Sequence, residues 1–448
     1  DTETLLAAIE HWGVTAALTR CVGMFALALF DVPRRMLYLA RDRLGEKPLY
    51  YGVSGAALLF GSELRALRAH PAWRGEVDRN AITLLLRHGY VPQPHSIYCG
   101  IRKLAAGTCL EIPVDRLGSG QLPEPAAFWS LSGIISAGST ERFCGDAREA
   151  ADTLDRLLRQ SVAGQMVADV PVGAFLSGGV DSSTVVALMQ AQSSRPVKPF
   201  SIGFRESGYD EAVPARGVAG YLGTDHTELY VTAADAWSLV PRLPQLFDEP
   251  FSDGSQIPTF LVAQLARRDV TVSLSGDGGD ELFGGYRRYV STHRLWRRLR
   301  LVPRPLRRLA ARSVERAPAA FLDSFLFAWA DRAVRRHARG GRPSDKLRKA
   351  ADMLTVRNER AFYRAMSSHW KRPEALVPDS TEPVTVLTDP ATAFEDRHPF
   401  ERMMAWDTLG YLPDDILVKV DRAAMGVSLE TRVPLLDHRI VEFAWRLP

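Results

Sequence analysis

Nine residues, Phe175-Leu176-Ser177-Gly178-Gly179-Val180-Asp181-Ser182-Ser183, constrain this chain more than any others. They form a Gly-rich turn between an apolar run that reads as a buried strand, 170–176, and one that reads as a helix, 184–191. Such a turn aims backbone N–H groups, hydroxyls and the positive end of a helix at one point, which makes a phosphate or pyrophosphate cradle. Gly178 and Gly179 permit unusual backbone angles and the close approach of an anion. Ser177, Ser182 and Ser183 add hydroxyl donors. Asp181 offers an oxygen ligand for the Mg2+ that accompanies a nucleotide, and it can also cap the helix. No Gly-Lys-Ser/Thr follows, and Gly-x-Gly-x-x-Gly does not fit, so neither the Walker loop nor the dinucleotide fingerprint is present.

A second loop complements the first. Residues 270–274 are β-branched and apolar, which predicts a central parallel strand. They run into Ser275-Gly276-Asp277-Gly278-Gly279-Asp280-Glu281. Three carboxylates within five residues repel one another unless a cation or a basic substrate lies among them. In open α/β sheets, ligands bind beyond the carboxyl ends of the strands, where both loops fall. Taken singly, each loop could be an ordinary or a solvated turn. Taken together, they predict a Mg–nucleotide site.

The chain's 448 residues allow two or three domains, and 46% apolar content supports large cores. Up to about residue 113 the pattern is β-rich. Residues 24–30 read as a buried strand, 31–33 as a turn and 36–40 as a returning strand, with further strands at 48–51 and 58–60 and helices at 1–11 and 81–88. Residues 118–145, rich in Gly, Pro and Ser, read as a linker. From Ala150, the residues Leu154, Leu157, Leu158 and Val162 recur at helical spacing. Strands at 170–176, 199–204, 226–231 and 270–274 then alternate with helices at 184–191, 211–222 and 258–268, which implies a parallel sheet covered on both faces. Beyond 286 the chain reads as mainly helical.

No apolar run reaches membrane-spanning length and no signal peptide opens the chain, so a cytoplasmic location without a membrane partner is expected. Cys21, Cys99, Cys109 and Cys144 form neither a zinc pattern nor a dense disulfide framework. The net charge of +4 conceals an Arg-rich stretch, 293–349. Aromatic residues are not interleaved there, so a solvated helical face is expected rather than a nucleic-acid surface.

The two loops together resemble those of glutamine-hydrolysing asparagine synthetase, and the resemblance extends over nearly the whole chain. In the first part it is carried by Arg41-Asp42-Arg43-Leu44-Gly45-Glu46-Lys47-Pro48-Leu49-Tyr50-Tyr51 and Phe60-Gly61-Ser62-Glu63-Leu64. Further on it rests on Asp169-Val170-Pro171-Val172-Gly173, Ser201-Ile202-Gly203-Phe204, Tyr209-Asp210-Glu211, Leu222-Gly223-Thr224-Asp225-His226 and Asp248-Glu249-Pro250-Phe251 with Asp253. The last matching segments are Asp414-Asp415-Ile416-Leu417-Val418-Lys419-Val420-Asp421-Arg422 and 428–437. The resemblance implies a multidomain α/β fold. Residues 1–132 would be part of an N-terminal-nucleophile (αββα) glutaminase domain, 133–149 a linker, and 150–448 a PP-loop ATP pyrophosphatase domain with a parallel sheet and a helical C-terminal part.

The same resemblance implies ATP and Mg2+ as cofactors and aspartate with glutamine or ammonia as substrates; a homodimer through the glutaminase half is what the family suggests. Residue by residue, Leu176 and Ile202 fall where the family contacts adenosine. Ser177, Gly178, Gly179, Ser182 and Ser183 fall on the pyrophosphate, and Ser275 and Gly276 on further nucleotide contacts. Asp181 and Asp280 match Mg2+ ligands. Asp277 stands where many relatives have Glu, at a position important for forming the acyl-adenylate. Asp1 matches the Asp that binds the α-amino group of glutamine. The family's nucleophilic Cys and its catalytic Lys fall outside these 448 residues, so the chain reads as a piece of a longer protein. His226 reads as structural. Asp421-Arg422 and Glu430-Thr431-Arg432 fit either an ion-pair network or aspartate binding. Another carboxylate-adenylating enzyme, β-lactam synthetase-like or peptide-modifying, and an inactive nucleotide-binding scaffold are the alternatives.

Overall fold

The computed structural model describes residues 1–55, 57–119, 121–204, 211–323 and 343–448. Tyr209 and Asp210 of the resemblance, and the 324–342 part of the Arg-rich stretch, lie outside the described residues.

The first part is built from β1 (Ala26–Asp31), β2 (Met36–Arg41), β3 (Tyr50–Ser54), β4 (Ala57–Gly61), β5 (Ile101–Lys103), β6 (Thr108–Pro113) and β7 (Ala126–Ala127). They form two antiparallel sheets, ordered β1-β2-β6-β7 and β4-β3-β5. Because side chains alternate along a strand, each sheet has two faces to cover. Leu39, Leu110 and Ile112 of one sheet meet Tyr51 of the other, so the sheets pack face to face. On the outer face of the first, Tyr38, Ala40 and Cys109 pack against Leu18 of the helix Val14–Arg20. On the outer face of the second, Tyr50, Leu59 and Ile101 pack against Leu64, Leu67 and Ala81 of the helices Leu64–Arg68 and Arg79–His88. The layers therefore run α/β/β/α.

Strand β1 differs from the expectation of a buried strand. It pairs only with β2, its residues alternate between exposed and half-buried, and Phe30 is 51% exposed. An edge strand needs burial on one face only.

The expected linker is also structured. Residues Leu131–Thr140 form a helix capped by Ser130, whose Oγ accepts from Gly133 N. Leu131 and Ile135 sit in the largest core of the second part, beside Trp406, Val441 and Trp445. Gly138 lies so close to the Trp445 carbonyl that an added Cβ would stand 2.2 Å from it. Glycine here serves close packing, a role that composition alone does not distinguish from flexibility. A capping box at Asp146 and Glu149 then opens the helix Ala147–Gln165.

The second part holds β8 (Val172–Phe175), β9 (Lys198–Phe204), β10 (Thr227–Val231), β11 (Val272–Leu274) and β12 (Glu430–Arg432). All pair in parallel, in the order β10-β9-β8-β11-β12. Helices Ala147–Gln165, Val180–Ala191 and Ala212–Leu222 cover one face, and Gln256–Ala266 and Leu417–Met425 the other. Edge strand β12 arises in the segment expected to be helical, so Glu430-Thr431-Arg432 has a structural role. Arg432 pairs with Glu430 at 2.6 Å and donates to the Gln165 and Val167 carbonyls. Between Pro399 and Met425 the chain is helical throughout, but Asp407–Ile416 winds as a wide-turned π-helix with Pro413 inside it. Proline removes a donor from the α ladder, and the Leu417 N–H reaches back five residues to Leu412 O.

Buried charge joins the two parts. Lys103 pairs with Glu249 at 2.7 Å, with side chains 7% and 9% exposed. Glu249 also accepts from Ile97 N at 2.7 Å. Lys47 pairs with Asp421 at 2.8 Å, and Arg422 reaches Asp248 at 3.3 Å and the Ser62 carbonyl. Asp421-Arg422 is thus an ion-pair network across the seam. Such pairs barely offset their own desolvation, yet an unpaired survivor is costly. Glu249→Ala should therefore destabilise the protein by about 3–5 kcal/mol, read as a lowered unfolding midpoint in urea; a midpoint within experimental error of the parent's would refute this account of the seam.

Candidate active site

Strands β8 and β11 are neighbours, but the chain leaves them in opposite directions across the sheet: β9 and β10 extend one way, β12 the other. Between them lies the switch point of the sheet, where a crevice opens at the carboxyl ends of the strands. The loop after β8 and the loop after β11 form its two walls.

At the first wall the backbone turns through Gly178 at φ +76, and an added Cβ there would stand 2.7 Å from Ala215 N. Only glycine meets both demands. Ser177 and Ser182 stitch the turn: their Oγ atoms lie 3.0 Å apart, Ser182 Oγ accepts from Ser177 N, and Ser177 Oγ accepts from Gly179 N. The helix Val180–Ala191 starts directly afterwards, with Asp181 in its first turn. Beneath the loop, Ser201 Oγ donates to the Leu176 carbonyl and accepts from His226 Nε2 at 2.9 Å. His226 is therefore a structural histidine, and burial lowers its pKa.

At the second wall Ser275 N donates to Arg432 O, and Ser275 Oγ donates to Asp277 Oδ2 at 2.5 Å, which orients that carboxylate. Gly276 touches the first wall, since an added Cβ would stand 2.6 Å from Ser182 N. Asp181 lies over Gly279, whose added Cβ would meet the Asp181 carboxylate at 2.4 Å.

The cleft between the walls encloses about 830 Å³ and is lined by Leu176, Ser177, Gly179, Asp181, Ser182, Ile202, Ser275, Gly276, Asp277 and Asp280 among others. Ten of the expected residues thus share one cavity. Two expected nucleotide contacts do not line it. Gly178 is turned against Pro214 and Ala215, and Ser183 Oγ is buried with no partner among the described residues. One step further along the helix than Ser182, Ser183 faces elsewhere, as a helical rotation of about 100° per residue requires. Asp1 is separate from the cleft: it is exposed and caps the helix Thr2–Trp12, accepting from Thr2 N at 2.6 Å.

Burial, then the Asp280 and Asp277 charges, push the Asp181 carboxyl up to about 6. Asp280 is also raised, by burial against the opposing charge of Arg288. Carboxylates that raise one another in this way suit a divalent cation. No three His, Cys, Asp or Glu side chains converge into a cation cage among the described residues. Asp181 and Asp280 both line the cleft, and Mg2+ takes one or two carboxylates together with water and substrate phosphates.

Reasoning from sequence missed Lys419, the one Lys or Arg on the cleft wall among the described residues. Its Nζ donates to Asp253 Oδ2 and Ser255 Oγ, both at 2.9 Å. Its signal was present in the segment 414–422, where it reads as one polar position on an amphipathic helix.

A strand–Gly-rich loop–helix unit facing a carboxylate loop across a switch point defines a PP-loop α/β protein, here joined to a two-sheet domain. The asparagine synthase family model matches residues 153–448 and the glutamine amidotransferase domain model matches residues 1–120. The chain belongs to the asparagine synthase family. Over its whole length it is similar, at 34% identity, to a Mycobacterium tuberculosis protein provisionally named a glutamine-hydrolysing asparagine synthetase, and at 30% to asparagine synthetase [glutamine-hydrolyzing] 1 of Bacillus subtilis. A Methanocaldococcus jannaschii protein, again provisionally named an asparagine synthetase, is 35% identical over 66% of this chain and 55% of its own length. The chain spans 64% and 65% of the length of the first two relatives.

Because Gly276 meets backbone rather than a flexible side chain, Gly276→Ala should drive the two walls apart. We expect MgATP affinity, measured by calorimetry, to fall more than about tenfold, as a lost 1.4 kcal/mol or more would require. Unchanged affinity in a folded variant would show that the contact does not set the cleft.

Proposed function

We propose that the protein amidates L-aspartate to L-asparagine through a β-aspartyl-AMP intermediate, using ATP and ammonia from glutamine and releasing AMP and pyrophosphate. The observation that carries this reading is the phosphate loop facing Asp277 and Asp280 across one cleft, in a chain of this family whose first 120 residues match a glutamine amidotransferase domain.

A carboxylate is a poor acyl donor because its leaving group would be oxide. Adenylation replaces that leaving group with AMP. In this reading the 177–183 loop directs N–H groups and the Ser177 and Ser182 hydroxyls at the pyrophosphate, offsetting charge that grows as the phosphate bond breaks. Leu176 and Ile202 flank adenosine, and Ser275 and Gly276 close on the nucleotide from the opposite wall. Asp181 and Asp280 hold Mg2+, which when bound neutralises phosphate charge as a Lewis acid. Asp277, oriented by Ser275, acts in forming the acyl-adenylate, reaching one methylene less far than Glu. Residues 1–132 form part of the domain that hydrolyses glutamine, with Asp1 binding its α-amino group. Residues 150–448 carry the synthetase chemistry, and 133–149 connect the two as a packed element. A homodimer and a cytoplasmic location complete the reading. No helix among the described residues is long and apolar enough to cross a membrane.

The test is pyrophosphate release by the full-length natural protein with ATP, Mg2+ and aspartate, comparing glutamine with ammonium and quantifying asparagine and AMP. Aspartate-dependent pyrophosphate together with asparagine is the expected result. Pyrophosphate indifferent to aspartate would send the cleft to another carboxylate, and none at all would remove the adenylation reading. Asp277→Asn should lower the aspartate-dependent rate by about 100-fold or more while MgATP still binds; a rate within twofold of the parent's would take Asp277 out of the chemistry.

A further inference from the structure

Residues 287–316 carry eleven Arg and one acid, Glu315, in a chain whose whole net charge is +4. They fold as the helices Arg287–Leu299 and Arg304–Arg316, and the second packs on the helix Pro343–Leu354. Its orientation is the reverse of an ordinary surface helix. Arg307, 5% exposed, and Ala311 are turned inward, and the Arg307 guanidinium lies over the Trp296 ring of the first helix, 5.9 Å from its centroid. The larger apolar side chains point to solvent: Leu306 is 57% exposed and Leu309 62%. Three residues apart, they are neighbours on one face. Leu301 and Val302, in the turn just before the helix, are exposed as well. Arg308, Arg312 and Arg316, spaced four apart, form an exposed row along the edge of the leucines. None of these three pairs with a carboxylate among the described residues. An apolar patch rimmed by charge marks an interaction surface rather than a solvated one.

We propose that this face attaches the protein peripherally to a membrane surface rich in anionic phospholipid. Leu306 and Leu309 enter the boundary between headgroups and acyl chains, and Arg308, Arg312 and Arg316 meet the lipid phosphates. The long arginine stems lie along apolar surface while their charged ends stay at headgroup level. A second copy of the chain would set one arginine row against another. A nucleic acid would take up the arginines, but it offers no apolar phase for the leucines, and no aromatic residue occurs between Arg297 and Arg316 for bases to stack on. The solvated face expected from composition is thereby revised, because composition does not say which side of the helix meets the protein. Peripheral attachment needs no spanning segment, and it stands whichever reaction the nucleotide cleft performs.

The test is sedimentation of the full-length natural protein with vesicles of phosphatidylcholine alone and with vesicles of equal parts phosphatidylcholine and phosphatidylglycerol. Pelleting with the anionic vesicles only, reversed by salt, is the expected result. Arg308→Gln with Arg312→Gln should lower the partition constant by about 30-fold and flatten its salt dependence. Leu306→Ala with Leu309→Ala should weaken binding at least about tenfold and leave the salt dependence as it was. Both pairs lie on the exposed face, so each variant should keep the parent's unfolding midpoint. Equal pelleting with the two kinds of vesicle would overturn the proposal, as would anionic-vesicle binding that neither paired variant weakens. No pelleting with either kind would also overturn it, since the face would then be covered by the rest of the natural chain or left to water. Salt-sensitive retention on single-stranded RNA or duplex DNA without vesicle binding would give the face to nucleic acid instead.

Discussion

The approach of Gly276 to the Ser182 amide is the constraint on which the cleft depends. It brings a loop evolved for anions within touching distance of a loop rich in carboxylates. With any side chain at 276 the two strand ends could not share one wall. The parallel order of the sheet makes the meeting possible, since only at the switch point do two successive strand ends diverge and leave a crevice. The hydroxyls of Ser177 and Ser182 are partly engaged within the turn. The loop therefore holds its shape before any ligand arrives, and preorganised donors need no reorganisation at the moment of reaction.

Electrostatics divides the molecule into three kinds of site. In the cleft, Asp181, Asp277 and Asp280 face the N–H groups and hydroxyls of the Gly-rich loop, and their mutual repulsion would be relieved by the divalent cation of the proposed function. Along the seam, Lys103, Lys47 and Arg422 are each matched by a carboxylate, and the two parts are clamped by charge rather than by apolar area alone. On the outer face of the Arg304–Arg316 helix the matching stops, leaving Arg308, Arg312 and Arg316. Asp253 stands between the first two. It accepts from Lys419, whose other neighbour is the nucleotide cleft, and it raises Asp415 on the π-helix behind. A change of charge in the cleft is thus two side chains away from Asp415.

Much of this was legible in the sequence. The two loops stood out because glycine, serine and aspartate at those spacings do little else after a strand. The four central strands fell within two residues of their places because a parallel strand covered on both faces is continuously apolar. The features that escaped share a physical cause. Strand β12 is Glu-Thr-Arg, and its place in the sheet comes from pairing with β11, far away in the chain. The 131–140 helix was hidden by glycines whose purpose is close packing. Ser183 and Ser182 are equivalent in composition, and only helical rotation separates them. The place of Lys419 depends on which face a side chain takes in a helix whose pitch changes partway along.

That change of pitch has a consequence of its own. Over Asp407–Ile416 each turn takes in more residues than an α-helix would, so the segment carries slack in its winding. Losing a single residue there would let the coil tighten to ordinary pitch and absorb the loss, whereas losing one from the α-helical turn that follows Ile416 would rotate everything downstream by about 100°. Lys419 would swing off the cleft, while Asp421 and Arg422 would leave their partners on the seam. The helix therefore behaves like a keyed shaft, and its one loose stretch sets the angle at which the cleft and a domain boundary are simultaneously in register.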